Sequence, residues 1–141
     1  MNILILNGPN LNLLGLREPD IYGARSYAAL TAYLEDCAQE LGCQIEVRQS
    51  NHEGVLVDWI QEAYGKFDGI IINPAAYTHT SIAILDALKA VALPAVEVHL
   101  SRVSEREAFR QISYAGLACQ ARFEGHGFAG YRMALEFLLK K

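Results

Sequence analysis

Apolar and β-branched residues gather in five short runs, Asn2–Asn7, Gln44–Gln49, Gly69–Asn73, Ala95–His99 and roughly 118–123. The first and third are almost wholly aliphatic, the pattern of strands buried on both faces. Between the runs the apolar spacing lengthens to that of a helix. Residues 26–41 align Leu30, Tyr33, Leu34, Cys37 and Leu41 on one stripe, and Gly42 follows as a stop signal. Residues 54–64 repeat the pattern with Val55, Trp59, Ile60 and Ala63. Residues 80–91 do so with Ile84, Leu88 and Val91, Pro94 lying just beyond. A last helix is predicted over 128–140, with lysines where the helix dipole favours cations.

Strand and helix alternate along the whole chain. That order predicts a three-layer α/β/α fold on a parallel sheet with right-handed crossovers. Five strands suggest the flavodoxin-like, doubly wound arrangement. Two connections, 8–25 and 100–117, exceed what a structural link needs, and long loops within a domain tend to be functional. Prolines and glycines at 8, 9, 15, 19 and 23 predict a shaped, hinged first loop.

Bulk composition narrows the field. The chain has 141 residues, which suits one catalytic domain over 1–141 with one core. Formal net charge is −4 with no basic run, which argues against nucleic acid or an anionic membrane as a partner. No secretory leader is read at the N-terminus, and no apolar stretch has the length of a membrane span. Cys37, Cys43 and Cys119 lack zinc or redox spacing and fit a reducing cytoplasm. Four histidines occur without metal-binding spacing, so no metal is expected.

In a parallel sheet, ligands bind beyond the carboxyl ends of the strands. There the sequence places Asn7-Gly8-Pro9-Asn10-Leu11-Asn12, Ser50-Asn51-His52-Glu53, Asn73 through Ser81, and Glu97-Val98-His99-Leu100-Ser101. Each has an ordinary reading. Asn10 and Asn12 could form side-chain turns. Thr78, Thr80 and Ser81 suit helix N-caps, although the same helix end could hold a carboxylate. Tyr77 is read as core packing, and His79 alone as an ordinary loop histidine. The Glu97–His99 pair is sharper. Strand alternation puts both side chains on one face, where a carboxylate fixes the imidazole tautomer and raises its basicity. The competing reading is a buried polar brace.

Other chemistries lack their residues. The first turn has neither G-x-G-x-x-G nor G-K-[ST], no G-x-S-x-G elbow occurs, and no lysine falls at the polar edge. Acid–base chemistry on an oxygenated small molecule remains, and it needs a base. Tyr22 in the first loop could serve if a nearby cation stabilised its phenolate. Arg17 is nearest in sequence, with Arg25 and Arg110 as further candidates. Alternatively Tyr22 packs on the sheet edge while Arg17 pairs with Glu18 or Asp20.

These motifs resemble the type II 3-dehydroquinate dehydratases. The resemblance lies in Asn7 through Gly15, Arg17-Glu18-Pro19, Ile21-Tyr22-Gly23, Gln49 through Gly54, Asn73 through Ser81, Glu97 through Ser101, and Gly130-Tyr131. It implies a cofactor-independent hydro-lyase converting 3-dehydroquinate to 3-dehydroshikimate in the shikimate route to aromatic amino acids. It implies Tyr22 as the base, with Arg17 beside it on a lid, and Asn12 stabilising an enolate oxygen. His99 would be the acid, oriented by Glu97. Substrate would be held by Asn73, His79, Leu100, Ser101 and Arg110. Asp86 would reach a neighbour's site in a homo-dodecamer, a tetramer of trimers. Arg102, Ser104 and Gln111-Ile112 depart from the family pattern, all in the second long loop. The reading from another class is a catalytically impaired ligand-binding or scaffold relative.

Overall fold

The computed structural model describes residues 1–16 and 25–140. Five strands, β1 (Asn2–Asn7), β2 (Gln44–Gln49), β3 (Gly69–Asn73), β4 (Ala95–His99) and β5 (Ala121–Glu124), form one sheet. Every neighbouring pair runs parallel, in the order β2-β1-β3-β4-β5. This is the flavodoxin-like winding that the alternation predicts.

Among the described residues, four α-helices cover the sheet: α1 (Tyr27–Leu41), α2 (Glu53–Ala63), α3 (Ile82–Val91) and α4 (Ala129–Leu139). Strand alternation sorts the core into two layers. Ile3, Ile5, Ile71, Val96 and Val98 pack with Leu30 and Leu34 of α1 and with Tyr131, Ala134 and Leu135 of α4. Leu4, Leu6, Ile70 and Ile72 face the other way, onto Leu56 and Ile60 of α2 and Ile84 and Leu88 of α3. Each fully buried Leu or Ile contributes roughly 1.5–3 kcal/mol relative to exposure, so these layers dominate the favourable side of folding.

Helix ends follow local chemistry. Ser26 accepts from the Ala29 N–H at 3.1 Å and opens α1, while Gly42, at φ 74°, closes it. Ser81 caps α3 through the Ile84 N–H at 2.9 Å. Neither Thr78 nor Thr80 caps that helix. Thr78 is wholly buried, and its carbonyl accepts from the Tyr114 N–H at 2.9 Å.

The last strand starts later than its apolar pattern predicts. Ala118 instead ends a 3₁₀ turn over Ala115–Ala118, in which Ala115 enters the second core layer and the Ser113 hydroxyl takes the Gly116 N–H at 3.0 Å. The second long loop is thereby folded as a chain of short turns, at Val103–Glu105, Ala108–Arg110 and Ala115–Ala118. In the first loop, Leu11 and Leu14 are buried in the α1 and α4 layer. Residues 17–24, which carry the expected base and its arginine, lie outside the described residues.

Candidate active site

The site is built on the ends of β1, β3 and β4. Asn7 and Asn73 are adjacent in the sheet register and both are buried. Two amides without water need partners. Tyr131 of α4 supplies them: its hydroxyl donates to Asn7 Oδ1 at 2.5 Å and accepts from Asn73 Nδ2 at 3.2 Å. Asn73 Oδ1 then takes the Ala75 N–H at 3.1 Å, which turns the chain out of β3. Tyr131 is a bracket rather than a base, since burial pushes its phenol far up.

The loops after β1 and β3 touch at Gly8. A Cβ at that position would meet the Pro74 carbonyl oxygen at 2.6 Å, so only glycine permits the approach. Asn51, beyond β2, ties the same loops together. Its side-chain oxygen accepts from the Asn10 N–H at 3.0 Å and from Gln49 Nε2 at 3.1 Å, and its carbonyl accepts from the Tyr77 hydroxyl at 2.9 Å. Tyr77 otherwise packs against the second core layer, as read from the sequence. Asn10 sits at φ 70°, in the left-handed region that asparagine tolerates.

At the end of β4 the alternation holds. His99 Nε2 donates to Glu97 Oε2 at 2.5 Å, and the Ser113 hydroxyl donates to the same oxygen at 2.8 Å. Burial would raise the Glu97 carboxyl. The hydrogen bond and charge of His99, the Arg122 guanidinium and the Ser113 hydroxyl outweigh it and hold the carboxyl below its ordinary value. An ionised Glu97 only accepts, so His99 carries its proton on Nε2 and keeps Nδ1 for other work.

His99 lines a cleft of about 580 Å³, its open mouth included. With it stand Asn73, His79, Leu100, Ser101 and Arg110, all expected from the sequence, and Arg106, which was not. His79 Nδ1 donates to the Ile112 carbonyl at 2.8 Å, and burial above all lowers its pKa, which favours the neutral ring. Arg110 is steadied by Glu107 at 3.1 Å. The cleft thus joins a carboxylate-backed imidazole, a second imidazole, the two amides of Asn10 and Asn73 and two guanidiniums.

Three expected residues stand off the lining. Glu97 lies behind His99. Asn12 is exposed and accepts from Gln49 Nε2 at 3.4 Å, beside the cleft. Asp86 is exposed on α3. Tyr22 and Arg17 lie outside the described residues. His52 and His126 are exposed and do not line the cleft. Among the described residues, no three His, Cys, Asp or Glu side chains gather as a metal site needs.

The departures in the second loop have definite places. Arg102 packs over Gly125 and lies 3.7 Å from Glu105, outside the cleft lining. Gln111 staples the loop, its amide reaching the carbonyls of Val103, Arg106 and Glu107 at 3.0, 3.1 and 3.2 Å.

The dehydroquinase class II family model matches residues 1–139. The chain belongs to the class II dehydroquinase family. A 3-dehydroquinate dehydratase of Bartonella henselae is 55% identical over 141 residues, covering 100% of this chain and 95% of the relative. The crystal structure of the type II dehydroquinase from Butyrivibrio crossotus superposes with a TM-score of 0.97 at 48% identity, covering 99% of this chain and 98% of that one. The type II dehydroquinase from Propionibacterium acnes gives a TM-score of 0.93 at 43% identity, covering 97% and 94%. For a dehydroquinase, the least legible parts were Arg106, Ser113 and the bracing role of Tyr131, a residue that the family motif had already marked. Arg106 had one usable signal, its place four residues before Arg110 in an overlong loop.

Proposed function

We propose that the cleft carries out a base-initiated elimination, with His99 as the acid and the residues of the first loop supplying the base. As a member of its family the chain is a hydro-lyase that dehydrates 3-dehydroquinate to 3-dehydroshikimate. The Glu97–His99 pair at the rim of a cleft bearing Arg106 and Arg110 is the observation that carries the assignment of roles.

The Tyr22 phenolate, favoured by the cationic Arg17 of the same loop, removes a proton from C2 of the substrate, alpha to the C3 ketone. The electron pair moves onto the ketone oxygen as an enolate. Asn12, through a water, stabilises that oxygen. The enolate then collapses, the bond from C1 to its hydroxyl breaks, and protonated His99 gives its Nδ1 proton to the departing oxygen. Water leaves, Tyr22 holds one proton, and His99 has lost one, so the net change is loss of water. Arg106 and Arg110 suit the substrate carboxylate, because guanidiniums pair with carboxylates in bidentate fashion. Asn73, His79 and the backbone at Leu100 and Ser101 suit its hydroxyls.

The chain acts over 1–141 as one catalytic domain without a cofactor. Its three cysteines are free, in keeping with a reducing cytoplasm. Asp86 stands exposed and away from its own cleft, a placement suited to reaching a neighbouring subunit in a dodecamer of four trimers. Sedimentation velocity checks that size, and a monomer that turns over at full rate would overturn it.

Purified protein mixed with 3-dehydroquinate is expected to give the ultraviolet absorbance of a conjugated enone carboxylate, with no added metal or nucleotide. Tyr22→Phe is expected to lose at least about 10²-fold in kcat, the usual scale for a missing base, with the fold intact. Thermal stabilisation by ligand with no product would instead mark a silent binding protein.

A further inference from the structure

We propose that Arg122, which lies outside the substrate cleft, is a positioning residue that sets the proton affinity of the Glu97–His99 pair from behind. The proposal rests on His99 as the acid of the reaction above.

The sheet register carries it. Between β4 and β5, Glu97 is the partner of Arg122 and His99 the partner of Glu124. Alternation keeps all four side chains on one face, which makes a square of charges with two corners on each strand. Arg122 Nε lies 3.9 Å from Glu97 Oε1, and its Nη2 lies 2.9 Å from Glu124 Oε2. Exposure rises across the square: the Glu97 side chain is 0% exposed and Arg122 is 34% exposed.

The two oxygens of Glu97 meet different surroundings. Oε2 is bonded by His99 and Ser113. Oε1 is buried and has no hydrogen-bond donor among the described residues. Glu97 also borders a shallower cleft, which it lines with Ser113, Gly116, Cys119, Ala121 and Arg122. Gly116 keeps the space in front of Oε1 open, since a Cβ there would meet that oxygen at 2.7 Å. A buried carboxylate oxygen without a donor is costly unless a charge compensates it, and Arg122 is the cation within reach.

Among the described residues, the other groups facing the pair are few. Cys119 lies on the Glu97 side with its thiol pushed up to about 12, by burial and then by Glu97 itself, so it stays neutral. Ser113 is neutral. His79 faces the pair from the turn after β3, with Arg110 beyond it. Glu124 faces His99 from β5.

The sign follows. The positive charge of Arg122 favours ionised Glu97 and opposes an added proton on the pair. Without it the pair holds its proton more tightly, and an acid-dependent step persists to higher pH. Glu124 works the other way, both by its own charge near His99 and by competing for Arg122.

The test compares Arg122→Gln, Arg122→Lys and Glu124→Gln in kcat against pH with 3-dehydroquinate, and in the pH course of imidazole nitrogen signals of the resting protein. In Arg122→Gln the alkaline limb is expected to move up by about half a pH unit or more, with KM within about twofold of wild type. Arg122→Lys is expected to restore the wild-type limb, and Glu124→Gln to move it down. A uniform fall in kcat with an unmoved limb overturns the proposal, as does a lysine variant that behaves like the glutamine variant. If wild-type protein shows no turnover, the assigned reaction fails on its own. The imidazole signals then still decide Arg122: the Gln variant must titrate higher than wild type, and equal midpoints reject it.

Discussion

Single residues at this edge matter through what they do to one another. Glu97 takes two hydrogen bonds on one oxygen and lies fully buried, so its neutral amide counterpart cannot reproduce its role. Glu97→Gln presents the same shape with no charge and is expected to lower kcat on the order of 10²-fold or more, with a smaller change in KM. The same carboxylate couples folding to pH. Its folded-state pKa is held below the ordinary value, so its contribution is present above the unfolded value and is lost as pH falls through the folded one. Denaturant melts at stepped pH are expected to show wild type losing stability through that acid range more steeply than Glu97→Gln. Parallel acid limbs for the two proteins would contradict this.

At the level of elements, the end of α3 is an imperfection. Its C-cap is Ala92, held at φ 55° by the Leu88 carbonyl, where α1 uses Gly42. A side chain pays a steric cost in that region, partly offset because glycine loosens the unfolded chain. Ala92→Gly is expected to stabilise by about 0.5–1 kcal/mol, read as a higher urea midpoint at unchanged slope and unchanged kcat. The first four strands could be bounded from sequence because β-branched and apolar runs end abruptly in polar side chains, the amides of Asn7, Gln49 and Asn73 and the imidazole of His99. The fifth could not, since Ala118 is equally apolar whether it lies in a strand or in the turn that precedes it. The Glu97–His99 contact was legible because it is local, two residues apart on one strand. Arg122 was not, because its meeting with Glu97 depends on the register of two strands joined by a chain of turns. Arg106 and Ser113 were less legible because their places depend on how the loop between β4 and β5 folds into short turns.

For the molecule as a whole, the balance of charge and its distribution differ in sign. Formal net charge is −4, yet the cleft is lined by Arg106 and Arg110. An anionic substrate therefore meets a negative body with a positive mouth, and salt screens the local attraction. Raising ionic strength from about 0.01 to 0.15 M shortens the screening length from about 30 to 8 Å. It is expected to lower kcat/KM several-fold, mainly through KM, and a kcat/KM that is flat in salt would show that the arginines do not steer.

The bracket at Tyr131 also bears on how the protein is made. Asn7 and Tyr131 are separated by 124 residues, so the two hydrogen bonds that join the amides at the centre of the polar edge cannot form until the last helix has been synthesised. Until α4 has emerged, the β1 and β3 ends must either stay solvated or find temporary company. The catalytic edge is thus among the last features a nascent chain can complete.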